Sequence, residues 1–411
     1  MLEDYFIRYN FNNDLKIFYM KNKIIKTSGI TRAFYVLLSN GQKTRTILFL
    51  FFALVAILLF FANFITRYKK NYSSSSKKIE IRGIYGSPES FWKKNIRLNE
   101  LGVNAIFIHD GAITETIMAR AKTEGLKVFA EFATLNGKNY VDKHPEAWPI
   151  DKDGNKAPAA TWFMGVCPTE PGFRQYRIDE LKKLLKRFDL DGVWMDYLHW
   201  HAQFEDHEPL LPETCFCEHC LSTFQSTSGI KLPEGNTAKK AEWILNNHDT
   251  TWRTWRCTIV ADWVKDFKTI INKEKPGALL GIYHCPWNDD DFNGARRRNL
   301  GLDYTMLREH TDVFSPMVYH GRMGQKPEWV KENIEWFCKT LNITEGRFPK
   351  VWPIVQAYND PGVISADEFE KVLRYGAGGK ATGVMMFTSY AVAEDEKKIE
   401  VMKKVYGEWT K

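Results

Sequence analysis

Eight short apolar runs, separated by stretches of helical amphipathicity, constrain this chain more than any other feature. The runs cover residues 79–85, 105–110, 127–134, 192–197, 279–284, 313–320, 351–358 and 383–388, with helical stretches at 90–101, 113–124, 173–188, 252–273, 304–310, 327–341, 365–375 and 394–409. Strands that are apolar on both faces and alternate with helices call for a parallel sheet with helices packed outside it. Eight such units close a ring, and residues 78–411 supply the ~250 or more residues that one needs. The expected fold is α/β, a (β/α)8 TIM barrel. An open doubly wound sheet is the alternative, but it carries a glycine-rich phosphate turn after its first strand, and Gly83-Ile-Tyr-Gly86 does not supply one.

Ahead of the barrel, residues 46–66 hold no charge and are long enough for a helix to cross ~30 Å of hydrocarbon. The expectation is a single transmembrane helix at 46–66, an N-terminal cytoplasmic tail at 1–45 and a linker at 67–77 containing four successive serines. Lys16, Lys21, Lys23, Lys26 and Arg32 make the tail positive, which favours its retention in the cytoplasm and leaves the barrel extracytoplasmic. A signal sequence that is uncleaved or cleaved late, starting at Met20, is the other reading, and it exports the domain as well. Much of the +7 formal charge lies in the first 80 residues, and no block of Lys and Arg interrupts the rest, so no nucleic-acid partner is expected.

Barrels of this kind carry their function at the carboxyl ends of the strands. The fourth run, Asp189-Leu-Asp-Gly-Val-Trp-Met-Asp196, ends on a carboxylate, and Tyr197, His199 and Trp200 follow it. Cleavage of a glycosidic bond usually employs two carboxyl groups, one neutral to protonate the leaving oxygen and one charged as nucleophile or base. Asp196 is the candidate nucleophile. Glu131, ending the third run, and Asp289, in the loop after the fifth, are both candidates for its partner, with Asp110 behind them. Asp191 stands at the start of its strand, where it is expected to hold the turn. Asp110, His199, Trp200, Tyr283, His284, Trp287, Tyr319, His320 and Gln356 are candidate substrate-binding residues. A long loop containing His144-Pro-Glu-Ala-Trp148 and Trp162 is the expected wall of the cleft.

Fourteen Trp and seventeen Tyr provide flat faces that stack on sugar rings as well as filling a core. No Gly-x-Ser-x-Gly elbow points to an esterase, and no H-E-x-x-H spacing points to a catalytic metal. The expected function is that of a glycoside hydrolase acting on an extracytoplasmic oligo- or polysaccharide. A non-catalytic carbohydrate-binding barrel is the alternative.

Beyond the fourth run, Cys215-Phe-Cys-Glu-His-Cys220 packs three thiols closely enough to surround one tetrahedral ion. Cys167 is the candidate fourth ligand, with His219 as a substitute, and the expected cofactor is a structural zinc. A disulfide between two of the thiols stays open in an exported domain. Cys257, Cys285 and Cys338 read as buried free thiols.

The segments Phe188-Asp-Leu-Asp-Gly-Val-Trp-Met-Asp196, Ser315-Pro-Met-Val-Tyr319 and Gly383-Val-Met-Met-Phe387 resemble the (β/α)8-barrel glycoside hydrolase superfamily, and in particular its glycosyl hydrolase-like families. The resemblance runs from residue 78 to the C-terminus. Chitinase-type barrels carry Asp-Gly-x-Asp-x-Asp-x-Glu on the fourth strand, whereas here Trp194 and Leu198 replace the middle aspartate and the glutamate. The closer likeness is to α-fucosidase- and α-galactosidase-type barrels. It implies a retaining mechanism with Asp196 as nucleophile, and an arginine from Trp252-Arg-Thr-Trp-Arg256 beneath that carboxylate, unless this arginine makes only a surface ion pair. The cysteine loop resembles the structural zinc cluster of family-42 β-galactosidases, although Gln356 does not match the catalytic glutamate of that family.

Overall fold

A computed structural model describes residues 79–410. The stretches read as cytoplasmic tail, transmembrane helix and linker lie outside the described residues. Among the described residues no helix is long and apolar enough to cross a membrane.

The strands are β1 (Ile81–Tyr85), β2 (Ala105–His109), β3 (Lys127–Ala133), β4 (Gly192–Asp196), β5 (Leu279–His284), β6 (Val313–Val318), β7 (Lys350–Val351), β8 (Ile354–Gln356) and β9 (Gly383–Phe387). All pair in parallel, and the β5–β6 pairing closes the ring. The expected (β/α)8 barrel is thus the observed one. Its seventh strand is split into β7 and β8, because Pro353 has no N–H to donate and faces Pro316 of β6 across the gap, while the register on either side is unchanged.

Side-chain alternation divides each strand into residues facing the barrel interior and residues facing the helices. The interior is aromatic: Trp194 stacks on Trp352 at 5.5 Å and packs against Phe107 and Phe129 at 5.0 and 4.7 Å. The indole N–H of Trp194 is satisfied across the barrel by Ser315 Oγ at 2.9 Å. Gly281 makes this packing possible, since a Cβ there would lie 2.0 Å from the Trp194 ring. Below the mouth the barrel is therefore a solid floor.

Most helices match expectation within a few residues, including Pro171–Arg187, Asp249–Glu274 and Glu328–Thr340. The helix expected at 90–101 is instead one turn at Glu89–Trp92 and a 3-10 turn at Leu98–Leu101, because Asn95 adopts a left-handed φ of 59° between them. Two helices not foreseen, Glu218–Ser228 and Thr237–Asn247, occupy the long insertion after β4.

Candidate active site

The fourth strand delivers its carboxylate to the mouth in three steps. At its start, Asp191 accepts from the Val128 N–H at 2.8 Å and pairs with Lys127 at 3.1 Å, anchoring the strand at the end remote from the mouth. Trp194 then fills the interior. Two residues on, Asp196 faces the same way and emerges above the aromatic floor into a cavity of about 260 Å³. The chain turns at once: Tyr197 has a φ of 49°, and its N–H donates to Asp196 Oδ1 at 2.8 Å. Burial pushes the Asp196 carboxyl up to about 6, and the Tyr197 N–H works against that rise.

Sequence reasoning missed a second carboxyl in this cavity. Glu205 hangs from the loop after β4, nine residues beyond Asp196, with an Oε2 that is buried and has no hydrogen-bond partner. Burial, followed by the negative charge of Asp196, pushes Glu205 up to about 8, with Arg322 pulling the other way. The pair is thus poised with Asp196 ionised and Glu205 protonated near neutrality. Nothing in the local sequence, Ala202-Gln-Phe-Glu205, resembles a motif, so only the folded path of the loop reveals this residue.

Glu131 sits lower, 2% exposed, and accepts from the Tyr85 hydroxyl at 3.2 Å. Burial raises it well above the usual carboxylate range; the charges of Asp196 and Asp110 add to the rise, and the Tyr85 bond and Arg177 oppose it. Tyr85, not Glu131, lines the cavity above this carboxyl.

Aromatic rings form the remaining walls. Tyr85 lies edge-on to Tyr283 at 5.8 Å and tilts against Phe387 at 4.8 Å, and Tyr319 also packs against Phe387 at 5.2 Å. Trp162, from the loop after β3, is 43% exposed and covered by the Arg322 guanidinium at 4.8 Å. Arg322 also pairs with Asp360 at 2.8 Å and donates to the Tyr358 hydroxyl at 3.3 Å.

Of the candidate residues, Asp196, Tyr283 and Tyr319 line this cavity, and the others lie elsewhere. Asp289 is exposed, paired with Arg296, and borders a separate hollow with Asp249 and Arg253, so its loop carries it away from Asp196. Trp287 lines a neighbouring hollow. His284 faces outward from β5, stacked on Phe337 at 4.9 Å with Nδ1 against Cys285 O and the Tyr304 hydroxyl, and burial pulls it down to about 3. His320 is likewise buried, held by Glu368 at 2.8 Å. His199 contacts the Trp200 carbonyl at 2.8 Å and is pulled down to about 4 by burial. Trp200 is fully buried beneath the Arg256 guanidinium. Gln356 accepts from the Arg322 N–H and donates to the Tyr358 and Asp360 carbonyls, which positions the loop bearing Tyr358. Asp110 caps its own turn through Gly111 and lies 3.9 Å from Arg177. Arg256 donates to the carbonyls of Arg298 and Asn299, and Arg253 pairs with Glu213, so both tie down loops.

Cys167, Cys215, Cys217 and Cys220 come together, their sulfurs all within 4.8 Å of one another and unpaired as disulfides. Cys167 Sγ lies 3.7 Å from Cys217 Sγ and 3.4 Å from Cys220 Sγ. A tetrahedron built on Zn–S bonds of ~2.3 Å has edges of about 3.8 Å, so these two separations are near those of such a site and the cluster could hold the ion. Backbone N–H groups of Ile150 and Cys220 point at Cys215 and Cys217 sulfurs, as they do around thiolate ligands. The cluster joins the loop carrying Trp162 to the loop carrying Glu205.

No family model matches the chain, and no curated protein does. Solved structures do resemble it. The β-galactosidase from the Antarctic haloarchaeon Halorubrum lacusprofundi superposes with a TM-score of 0.60 at 12% identity, over 80% of this chain and 58% of that one. A GH42 β-galactosidase from G. stearothermophilus gives 0.53 at 12% identity, over 81% of this chain and 58% of that one. The PgaB (BpsB) glycoside hydrolase domain from Bordetella bronchiseptica gives 0.57 at 12% identity, over 79% of this chain and 98% of that one. The chain thus spans little more than half the length of these β-galactosidases. What the comparisons share with it is the (β/α)8 barrel.

Proposed function

We propose that this protein is a glycoside hydrolase that attacks the anomeric carbon with Asp196 and protonates the leaving oxygen with Glu205. The observation that carries the proposal is the pair itself: two carboxyls share one aromatic-walled cavity at the strand ends, with environments that push their proton affinities apart. A lone carboxylate among aromatics would suit a binding module, whereas a charged and a neutral carboxyl lining one cavity suit acid-assisted displacement. Burial raises the Glu131 carboxyl well above the usual range, and the Tyr85 hydroxyl donates to it and fixes its orientation. The tyrosines and Trp162 supply faces for a sugar ring, and the enclosed walls strengthen every charge interaction within. The likeness of the barrel to glycoside hydrolases supports the same reading.

Attack by Asp196 gives a covalent glycosyl intermediate and retention of anomeric configuration. Hydrolysis of a glycan panel by residues 78–411, followed by proton NMR of the first product, tests this. A product of inverted configuration makes Asp196 the base that activates water. Binding without turnover makes the domain a carbohydrate-binding barrel.

The four cysteines are the residues that would hold a zinc ion, which as a closed four-thiolate site staples two loops and offers no open position for chemistry. Metal analysis of purified protein is expected to return about one zinc per chain, and chelation to lower the melting temperature and loosen the walls bearing Trp162 and Glu205. The uncharged stretch at 46–66 supports tethering of the barrel outside the cytoplasm, with an extracytoplasmic glycan as substrate. Protease accessibility of the barrel in intact cells tests that placement.

A further inference from the structure

A second hollow of about 390 Å³ opens on the same end of the barrel. It is contiguous with the first through the chain, since Glu205 and Arg322 line one and Asp206 and Met323 line the other. Its aromatic faces come from Trp287 and Phe292 after β5 and from Trp329 and Trp336 on the helix Glu328–Thr340. Trp329, Glu332, Asn333 and Trp336 recur at helical spacing, so one stripe of that helix faces the hollow. This is the composition of a surface that stacks against sugar rings.

Its polar groups are one-sided. Asp206, Asp291 and Glu332 line it, and among the described residues neither lysine nor arginine does. Asp206 contacts the exposed His207 ring at 2.9 Å and accepts from the Glu208 N–H, and Asp291 is turned onto the Asn288 N–H at 2.8 Å, so Glu332 carries the charge most open to a ligand, with Asp206 on the same lining. Asn333, 7% exposed, donates through Nδ2 to the Pro286 carbonyl and leaves Oδ1 buried without a donor. An orphaned acceptor beside carboxylates and indole faces calls for a ligand rich in N–H donors and positively charged.

We infer that this hollow is a second saccharide subsite, one that takes a sugar unit bearing a protonated amine. The assignment rests on the reading of the Asp196 cavity as the cleavage site, from which a chain extends past Glu205 into the hollow. Amino sugars meet the requirement: the ring stacks on indole, and the ammonium meets Glu332 and Asp206. A neutral or N-acetylated unit has no charge to offer.

The test is calorimetric binding to the full chain carrying Asp196→Asn, which removes turnover from the measurement. The probes are a glucosamine oligomer and its fully N-acetylated counterpart of equal length. The glucosamine oligomer is expected to bind at least tenfold more tightly. Asp206→Asn with Glu332→Gln is expected to erase that preference while leaving the acetylated oligomer and the melting temperature unchanged, and Trp336→Ala to weaken both oligomers. Equal affinities, no binding of either oligomer, or a preference that survives the double substitution overturns the assignment. If the preference is found while the unsubstituted protein releases no sugar, the subsite stands and the hydrolase reading fails. Turnover without the preference reverses that outcome.

Discussion

At the top of β4, Asp196 points into the barrel mouth, half-buried among tyrosines. At the top of β5, the neighbouring strand, His284 points the opposite way and stacks on Phe337 between sheet and helices. Both are titratable residues at the last position of a strand, and both look like site residues when only position is considered. Parity separates them. Trp194 and Gly281 lie side by side and share the interior face, so Asp196 and Tyr283, two residues on, inherit that face and His284 receives the other. The same parity sets Tyr319 inside and His320 outside at the end of β6. The lesson is that a strand end in a barrel presents alternate residues to substrate, and the ones between serve the core.

Substituting both strand ends puts the contrast to its hardest test. Asp196→Asn is expected to lower kcat by ~10⁴-fold or more with the fold intact. His284→Ala is expected to do the reverse, costing about 2–4 kcal/mol of stability through lost packing while the surviving folded protein keeps its kcat. Chemical denaturation and steady-state kinetics on both variants check this, and a catalytic loss at His284 without a stability loss would break the parity argument.

Glu205→Gln comes next, with an expected fall in kcat of ~10²–10⁴-fold, the usual contribution of a general acid. The pH profile of kcat/KM for the native protein is expected to be bell-shaped, rising through about 6 as Asp196 ionises and falling through about 8 as Glu205 loses its proton. Glu205→Gln should remove the alkaline limb alone. Stability follows with a definite sign. The folded protein holds the Glu205 proton more tightly than an unfolded chain does, at ~4.3, so the native protein loses stability as pH rises from there through about 8. The glutamine variant escapes that loss, and its melting temperature is expected to exceed that of the native protein by a margin that grows towards pH 8.

The smallest effect is expected from Tyr85→Phe, which removes the hydroxyl holding Glu131 and leaves the ring in place. A twofold to tenfold fall in kcat/KM corresponds to one hydrogen bond of about 0.5–1.5 kcal/mol. A loss as large as that of Glu205→Gln would move Glu131 from a supporting position to the chemistry.

The barrel was legible in the chain because its evidence is local. Eight apolar runs must each be covered on both faces, and period-2 alternation follows from the backbone alone, so strand positions, the placement of Asp191 at a strand start and that of Asp196 at a strand end could be read residue by residue. The cysteines were legible for a related reason, since three thiols in six residues cannot avoid one another. The two unforeseen helices after β4 and the broken helix at Asn95 escaped because short amphipathic segments in a long insertion resemble loop, and because a left-handed asparagine leaves little trace in composition.

Within the site, the sequence determined what kind of group each strand end offers, because residue type and strand order are covalent facts. Only the tertiary structure decided which groups meet. Glu205 lines the same cavity as Asp196 because the loop after β4 folds back over the mouth, tied by the cysteine cluster and by Arg322. Asp289, five residues beyond the end of the fifth strand, is turned outward by Arg296. Their proton affinities were also beyond the sequence, since a carboxyl is raised by the water it loses and the charges it faces, and both depend on how distant segments pack around it.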